Sequence, residues 1–245
     1  MLKASVLITI GLLCAGTALA EEGGIRLLES GTDINSTESL QRGARNFMNY
    51  CSGCHSLKYL RYNRLGADLK IPDSELGNLI FTPAKPFEEI TTGMPAEATD
   101  WFGKPPPDLT LMARERGTDY IYSYLHGFYQ DKTRPWGVNN LYLSGTAMPH
   151  VLSSLQGLQK PAYKNEKDPG GSAKMVLVGV EAMTPGAMKP EEYDQFVRDI
   201  ANFLDYDAEP IKAKRQSMGI FVVLFLLIFF VFAYQLKKEY WKDVH

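Results

Sequence analysis

Cys51-Ser52-Gly53-Cys54-His55 is the run in this chain whose residue types and spacing could do chemistry. Two thiols three positions apart, with an imidazole directly after the second, form the C-x-x-C-H signature for attaching a c-type haem. On a helix, positions i, i+3 and i+4 share one face. Both sulfurs can then reach the two vinyl groups while the His55 imidazole rises to the iron. A C-x-x-C pair also reads as a thioredoxin-like redox couple or as half of a zinc site, and the adjacent His55 argues against the first. The sequence holds three cysteines in all, and the third, Cys14, falls in a leader segment described below. That removes the common four-ligand zinc arrangements. One motif therefore predicts one covalently bound haem c, with Cys51 and Cys54 as attachment points and His55 as an axial ligand to the iron.

The iron needs a second axial ligand unless it binds small molecules, and methionine raises the reduction potential relative to histidine. Met94 and Met148 each stand before a proline, which restricts the preceding residue to extended backbone and holds the thioether in place. His126, His150 and His245 are the remaining imidazoles. Local chemistry does not separate these candidates.

Several elements are needed to position the motif. Asn35 with Glu38 gives a capping-box-like start, after which Leu40, Ala44, Phe47, Met48 and Cys51 recur at helical spacing. Gly43 on the same helix resembles the glycine of class I cytochromes c that, having no Cβ, lets a second helix cross closely. A partner is available late in the chain. Pro190 suits a first helical position, and Tyr193, Phe196, Val197, Ile200, Phe203 and Leu204 form an apolar stripe over the following turns.

The two ends of the chain are apolar for different reasons. Lys3, the stretch Val6 to Cys14 and the small-x-small pattern Ala18-Leu19-Ala20 make the three parts of a secretory signal peptide over residues 1–20. From Gln216 to Leu236 there are 21 residues without a charge, flanked by Lys212, Lys214 and Arg215 on one side and Lys237, Lys238 and Lys242 on the other. About 20 such residues cross the ~30 Å hydrocarbon core of a bilayer, and Tyr234, Tyr240 and Trp241 suit an interfacial belt. The expected organisation is an exported haem domain over 21–209 and a linker and transmembrane anchor over 210–236. A cytoplasmic tail then covers 237–245. Scattered lysine and arginine with no basic run exclude a nucleic-acid partner. Loss of Lys3 leaves the exported chain one unit more acidic than its formal −2, a modest bias that could steer a basic partner.

Five blocks carry a family resemblance: CSGCHSLKYLRYNRL from Cys51, PPDLTLMARERG from Pro106, DYIYSYLHGFY from Asp119, NNLYLSGTAMPHVL from Asn139 and DAEPIKAKRQSMG from Asp207. In this order, with a single C-terminal anchor, they resemble the cytochrome c1 family, the haem subunits of cytochrome bc1 complexes (quinol–cytochrome c reductases) in bacterial inner membranes. Gly43 and Phe47, eight and four residues before Cys51, are similar to the N-terminal helix of class I cytochromes c. The resemblance implies a mainly α, class I cytochrome c-like haem domain with long loops in the periplasm, plus one C-terminal transmembrane helix. It implies Met148 as the sixth ligand, and Arg116 with Tyr120 beside a haem propionate. It also implies one-electron transfer from the Rieske iron-sulfur protein, itself reduced by quinol at cytochrome b. The acceptor would be a soluble or membrane-bound cytochrome c, within a dimeric complex and with no catalytic chemistry of the chain's own. Two features depart from the pattern. Residues 66–105 are short and align poorly, with no cysteine for the extra disulfide some relatives carry there. Asp168-Pro169 and Gly170-Gly171 mark a further loop with no readable role. The alternatives are a monohaem cytochrome serving a terminal oxidase or nitric-oxide reductase, and a haem sensor with an open iron position.

Overall fold

Two helices cross at the centre of the domain, and each is where the apolar spacing put it. Helix α1 spans Thr37–Tyr50 and buries Leu40, Ala44, Phe47 and Met48. Its start differs by one residue from the sequence reading. The N-cap is Ser36, whose hydroxyl accepts the Ser39 N–H at 3.4 Å, while the Asn35 N–H donates to Asp33 Oδ1 at 2.9 Å. Asp33 has drawn Asn35 into its own turn, so the next hydroxyl caps the helix instead. The computed structural model describes residues 25–95, 97–167 and 173–243; the leader at 1–20, the loop with Asp168-Pro169 and Gly170-Gly171, and His245 lie outside them.

The late amphipathic stretch begins at Pro190, as predicted, and runs to Ala208; the Lys189 N–H donates to Glu192 Oε2 at 2.9 Å. All six residues of the expected stripe are buried. Gly43 lies at the crossing. A Cβ there would overlap the Asp199 carbonyl oxygen and stand 2.7 Å from Phe203 Cβ. Phe47 packs on Phe203 with ring centroids 5.7 Å apart. The crossing is also pinned by charge. Buried Asp199 accepts hydrogen bonds from Ser39 Oγ (2.6 Å), Arg42 Nε (2.6 Å) and Gln195 Nε2 (2.8 Å).

Two short strand pairs and one long hairpin complete the domain among the described residues. Strand β1 (Leu57–Arg61) follows the cysteine motif directly and pairs antiparallel with β2 (Glu89–Ile90), so that Leu57 faces Ile90 and both are fully buried. The segment 66–105, which the sequence leaves unplaced, is thereby core structure at Leu69, Leu76 and Ile90. Strands β3 (Phe128–Gln130) and β4 (Val138–Asn140) form the second pair.

A long antiparallel hairpin, β5 (Gly157–Lys167) with β6 (Ala173–Pro185), stands on either side of the stretch 168–171 and was not anticipated from the sequence. Most of its described side chains are exposed or half-buried. It therefore carries no alternation of apolar and polar residues to reveal it. The side-chain amide of Gln159 ties its base to the backbone by donating to the His126 and Phe128 carbonyls.

The terminal helix, Lys212–Tyr240, has 29 residues, and its apolar core is not buried by the rest of the chain. At 1.5 Å per residue it is about 43 Å long, enough to span a bilayer. Lys212 Nζ bonds both Asp205 oxygens at 2.7 Å, and Arg215 Nε bonds Glu209 at 2.6 Å, so ion pairs join this helix to the one before it.

Candidate haem site

Helix α1 ends at Tyr50, and the cysteine motif forms one further turn beyond it rather than a regular helical continuation. The Cys51 N–H donates to the Phe47 carbonyl at 2.8 Å; the Cys54 and His55 N–H groups both donate back to the Cys51 carbonyl, at 3.0 and 2.8 Å. That turn keeps the i, i+3, i+4 arrangement and aims all three side chains into one cavity of about 380 Å³. Its walls are mainly apolar. Ile200 and Leu204 come from the Pro190–Ala208 helix, and Ile121, Tyr124 and Leu125 from the helix Thr118–His126. Pro105 to Pro107, Leu109 and Met112 line it as well.

Burial raises the Cys51 thiol to about 12, with Cys54 adding to the shift, and raises Cys54 as well. These are neutral thiols in an apolar site. A thioredoxin-like pair instead needs a thiolate stabilised near neutral pH, so the structure disfavours that reading on its own terms.

His55 Nδ1 lies 2.7 Å from the Pro107 carbonyl oxygen. A carbonyl only accepts, so Nδ1 carries the proton and Nε2 keeps its lone pair for a metal. Burial holds this imidazole below its ordinary pKa, partly offset by the Pro107 bond and the Asp108 charge. The imidazole is neutral near pH 7. The PPDLT block explains itself here, since Pro107, Asp108 and Leu109 bond His55 and the segment after it. Asp108 accepts the Lys58 N–H at 2.9 Å and the Thr110 N–H at 3.0 Å, and the Leu109 N–H donates to the Ser56 carbonyl at 3.0 Å. Pro107 was not singled out by sequence reasoning; its partner is 52 residues away.

Met148 lines the same cavity as His55, and Met94 does not. The Met94 segment works from outside: Thr92 Oγ1 donates to the Gly53 carbonyl at 2.8 Å and accepts the Met94 N–H at 3.1 Å. Neither described histidine competes. His126 has both ring nitrogens engaged, with the Tyr122 carbonyl and Asp194. His150 stacks on Phe128 at 4.7 Å, away from the cavity lining, and burial lowers its pKa to about 4.

Arg116 and Tyr120 stand together at the cavity edge, the guanidinium 5.3 Å from the ring centroid. Arg116 also lies 3.5 Å from Glu115, with its side chain half exposed. Among the cavity residues that sequence reasoning did not single out are two that bond each other. Tyr124 and Thr146 are joined by a 2.7 Å bond between their hydroxyls, and no spacing rule connects them.

The residues present fit a c-type haem: two thiols, a neutral imidazole with a free Nε2, and a thioether, all in one apolar cavity. Such a cavity shields a porphyrin, and its protein groups tune the cofactor's potential. Comparisons with known proteins agree. A family model described as "Cytochrome C1 family" matches residues 32–244. The chain is 51% identical over 237 residues to a protein named cytochrome c1 from Allochromatium vinosum, covering 96% of each. It is 41% identical over 225 residues to a protein of Nitrosomonas europaea named ammonia monooxygenase gamma subunit, covering 90% of each. A Bradyrhizobium diazoefficiens protein named cytochrome b/c1 is 27% identical over 241 residues, which cover 84% of this chain and 33% of the relative.

Proposed function

From the premise that this chain belongs to the cytochrome c1 family, we propose that it is a one-electron relay, taking electrons from a Rieske iron-sulfur protein and passing them to a cytochrome c. The family makes it a haem c protein of electron transport with the role of a bc1-complex haem subunit. When bound, the haem supplies a one-electron Fe(III)/Fe(II) couple. Cys51 and Cys54 would hold it covalently, His55 Nε2 and the Met148 thioether would ligate the iron, and the Arg116 guanidinium beside Tyr120 would pair with a propionate. The apolar walls exclude water, so little solvent reorganises when the charge changes. The single observation that carries this reading is the meeting of Cys51, Cys54, His55 and Met148 in one cavity.

Cytochrome b is the expected neighbour in the membrane, which the relative named cytochrome b/c1 supports. The leader and the C-terminal helix support a periplasmic haem domain with a single inner-membrane anchor. A dimeric complex is part of the same proposal. The relative named as an ammonia monooxygenase subunit supports a second reading, in which the chain serves an ammonia-oxidising assembly.

Two measurements test the proposal. In membranes, quinol should reduce this haem, and removal of the Rieske protein should abolish that reduction. Reduction that persists without it, or that ammonia drives instead, overturns the reading. On the purified haem-loaded chain, Met148→Leu should lose the weak long-wavelength band of iron–thioether bonding and let the reduced form bind carbon monoxide. Met94→Leu should change neither.

A further inference from the structure

We propose that Tyr124 and Thr146 form a positioning pair that holds Met148 against the iron. The proposal rests on the reading of Met148 as sixth ligand and adds the device that keeps it there.

The loop that delivers Met148 runs from strand β4 with few apolar anchors of its own. Leu143 is partly exposed, and Thr146 is the buried residue before Met148. What fixes the loop is polar. Asn139 Oδ1 accepts the Gly145 N–H at 2.8 Å, and Arg134 Nη2 donates to the Gly145 carbonyl at 2.8 Å. Beyond Gly145 the side chain of Thr146 takes over. Its Oγ1 accepts the Met148 N–H at 3.3 Å and shares a proton with the Tyr124 hydroxyl at 2.7 Å.

Tyr124 is a rigid post. Its ring meets Phe128 edge-on at 5.2 Å and stacks with Tyr120 at 6.1 Å, and its carbonyl accepts Asn140 Nδ2 at 2.7 Å. Burial raises its hydroxyl to about 12, so it stays protonated throughout the working range. Both side chains line the haem cavity. A hydrogen-bonded chain thus runs from the Thr118–His126 helix through two hydroxyls to the backbone of the ligand residue. A thioether is a weak, neutral ligand on a flexible side chain. Its bond to iron competes with detachment, and each hydrogen bond that fixes its backbone shifts that balance.

Removing one hydroxyl should raise the fraction of iron without its thioether about tenfold, the equivalent of about 1.4 kcal/mol at the upper range for one hydrogen bond. The experiment uses the full haem-loaded chain in detergent. Tyr124→Phe and Thr146→Val each remove one hydroxyl and keep the shape. Both should weaken the long-wavelength band, speed carbon monoxide uptake by the reduced protein about tenfold and lower the reduction potential. Thr146→Ser keeps the hydroxyl and should restore all three. The double variant should be no worse than Thr146→Val alone, because Tyr124 acts on Met148 only through the Thr146 hydroxyl. Additive effects, failure of Thr146→Ser to rescue, or parental spectra and carbon monoxide rates in both single variants overturn the proposal. If Met148→Leu keeps the band while Tyr124→Phe loses it, the ligand assignment has failed rather than the coupling.

Discussion

Asp207 sits in the Pro190–Ala208 helix with 4% of its surface exposed, and neither carboxylate oxygen has a hydrogen-bond partner among the described residues. Burial and the nearby Asp108 charge raise its pKa from 3.8 to about 8. The folded chain therefore keeps a proton here that the unfolded chain has released between those two values. Stability should fall as pH rises through that window and level off above about 8. One unit corresponds to 1.36 kcal/mol, so by pH 7 this one group lowers stability by roughly 4 kcal/mol relative to pH 4. Asp207→Asn replaces the acid with an isosteric group that does not ionise. The assay is urea unfolding of the haem-loaded chain in detergent at pH 5, 6, 7 and 8, followed by circular dichroism. Other titrating groups are common to both proteins and cancel in the difference. The variant's advantage should grow by about 1.4 kcal/mol per unit between pH 5 and 7. A difference constant within about 0.5 kcal/mol over the whole range would refute the reasoning, since it would mean that Asp207 does not carry a raised pKa.

Gly43→Ala should destabilise the fold by at least about 3 kcal/mol in the same assay, the upper range for overpacking, because the new methyl meets the Asp199 backbone carbonyl rather than a side chain that can turn away. A loss below about 1 kcal/mol would show that the helices can separate. Asp199→Asn should cost about 2–3 kcal/mol, less than a fully buried ion pair because the Arg42 side chain keeps 43% of its surface in water. Arg42→Met combined with Asp199→Asn should recover part of that loss in a double-mutant cycle.

Local spacing alone determined much of this protein. Cys51, Cys54 and His55 announce covalent haem attachment because the chemistry needs them within one turn. The apolar periods of the two crossing helices are written over consecutive turns. Gly43 marks their contact because close backbone approach excludes a Cβ, and the uncharged run from Gln216 to Leu236 declares a membrane span by length. These signals are legible because each depends on neighbours at fixed offsets. The one-residue shift of the first helix start shows the limit even there, since Asp33 competes for Asn35.

Tertiary structure decided the rest. Met94 and Met148 have the same proline after them, and only the fold brings Met148 into the cavity with His55. The Pro107 carbonyl that sets the His55 tautomer, the Thr146 hydroxyl beside Tyr124, and the burial of Asp207 are all products of long-range packing. The β5–β6 hairpin was invisible because most of its side chains face solvent and leave no apolar alternation. In each case the partner lies many residues away, and no period in a one-dimensional sequence encodes which distant backbone group will face a given side chain once the core has closed.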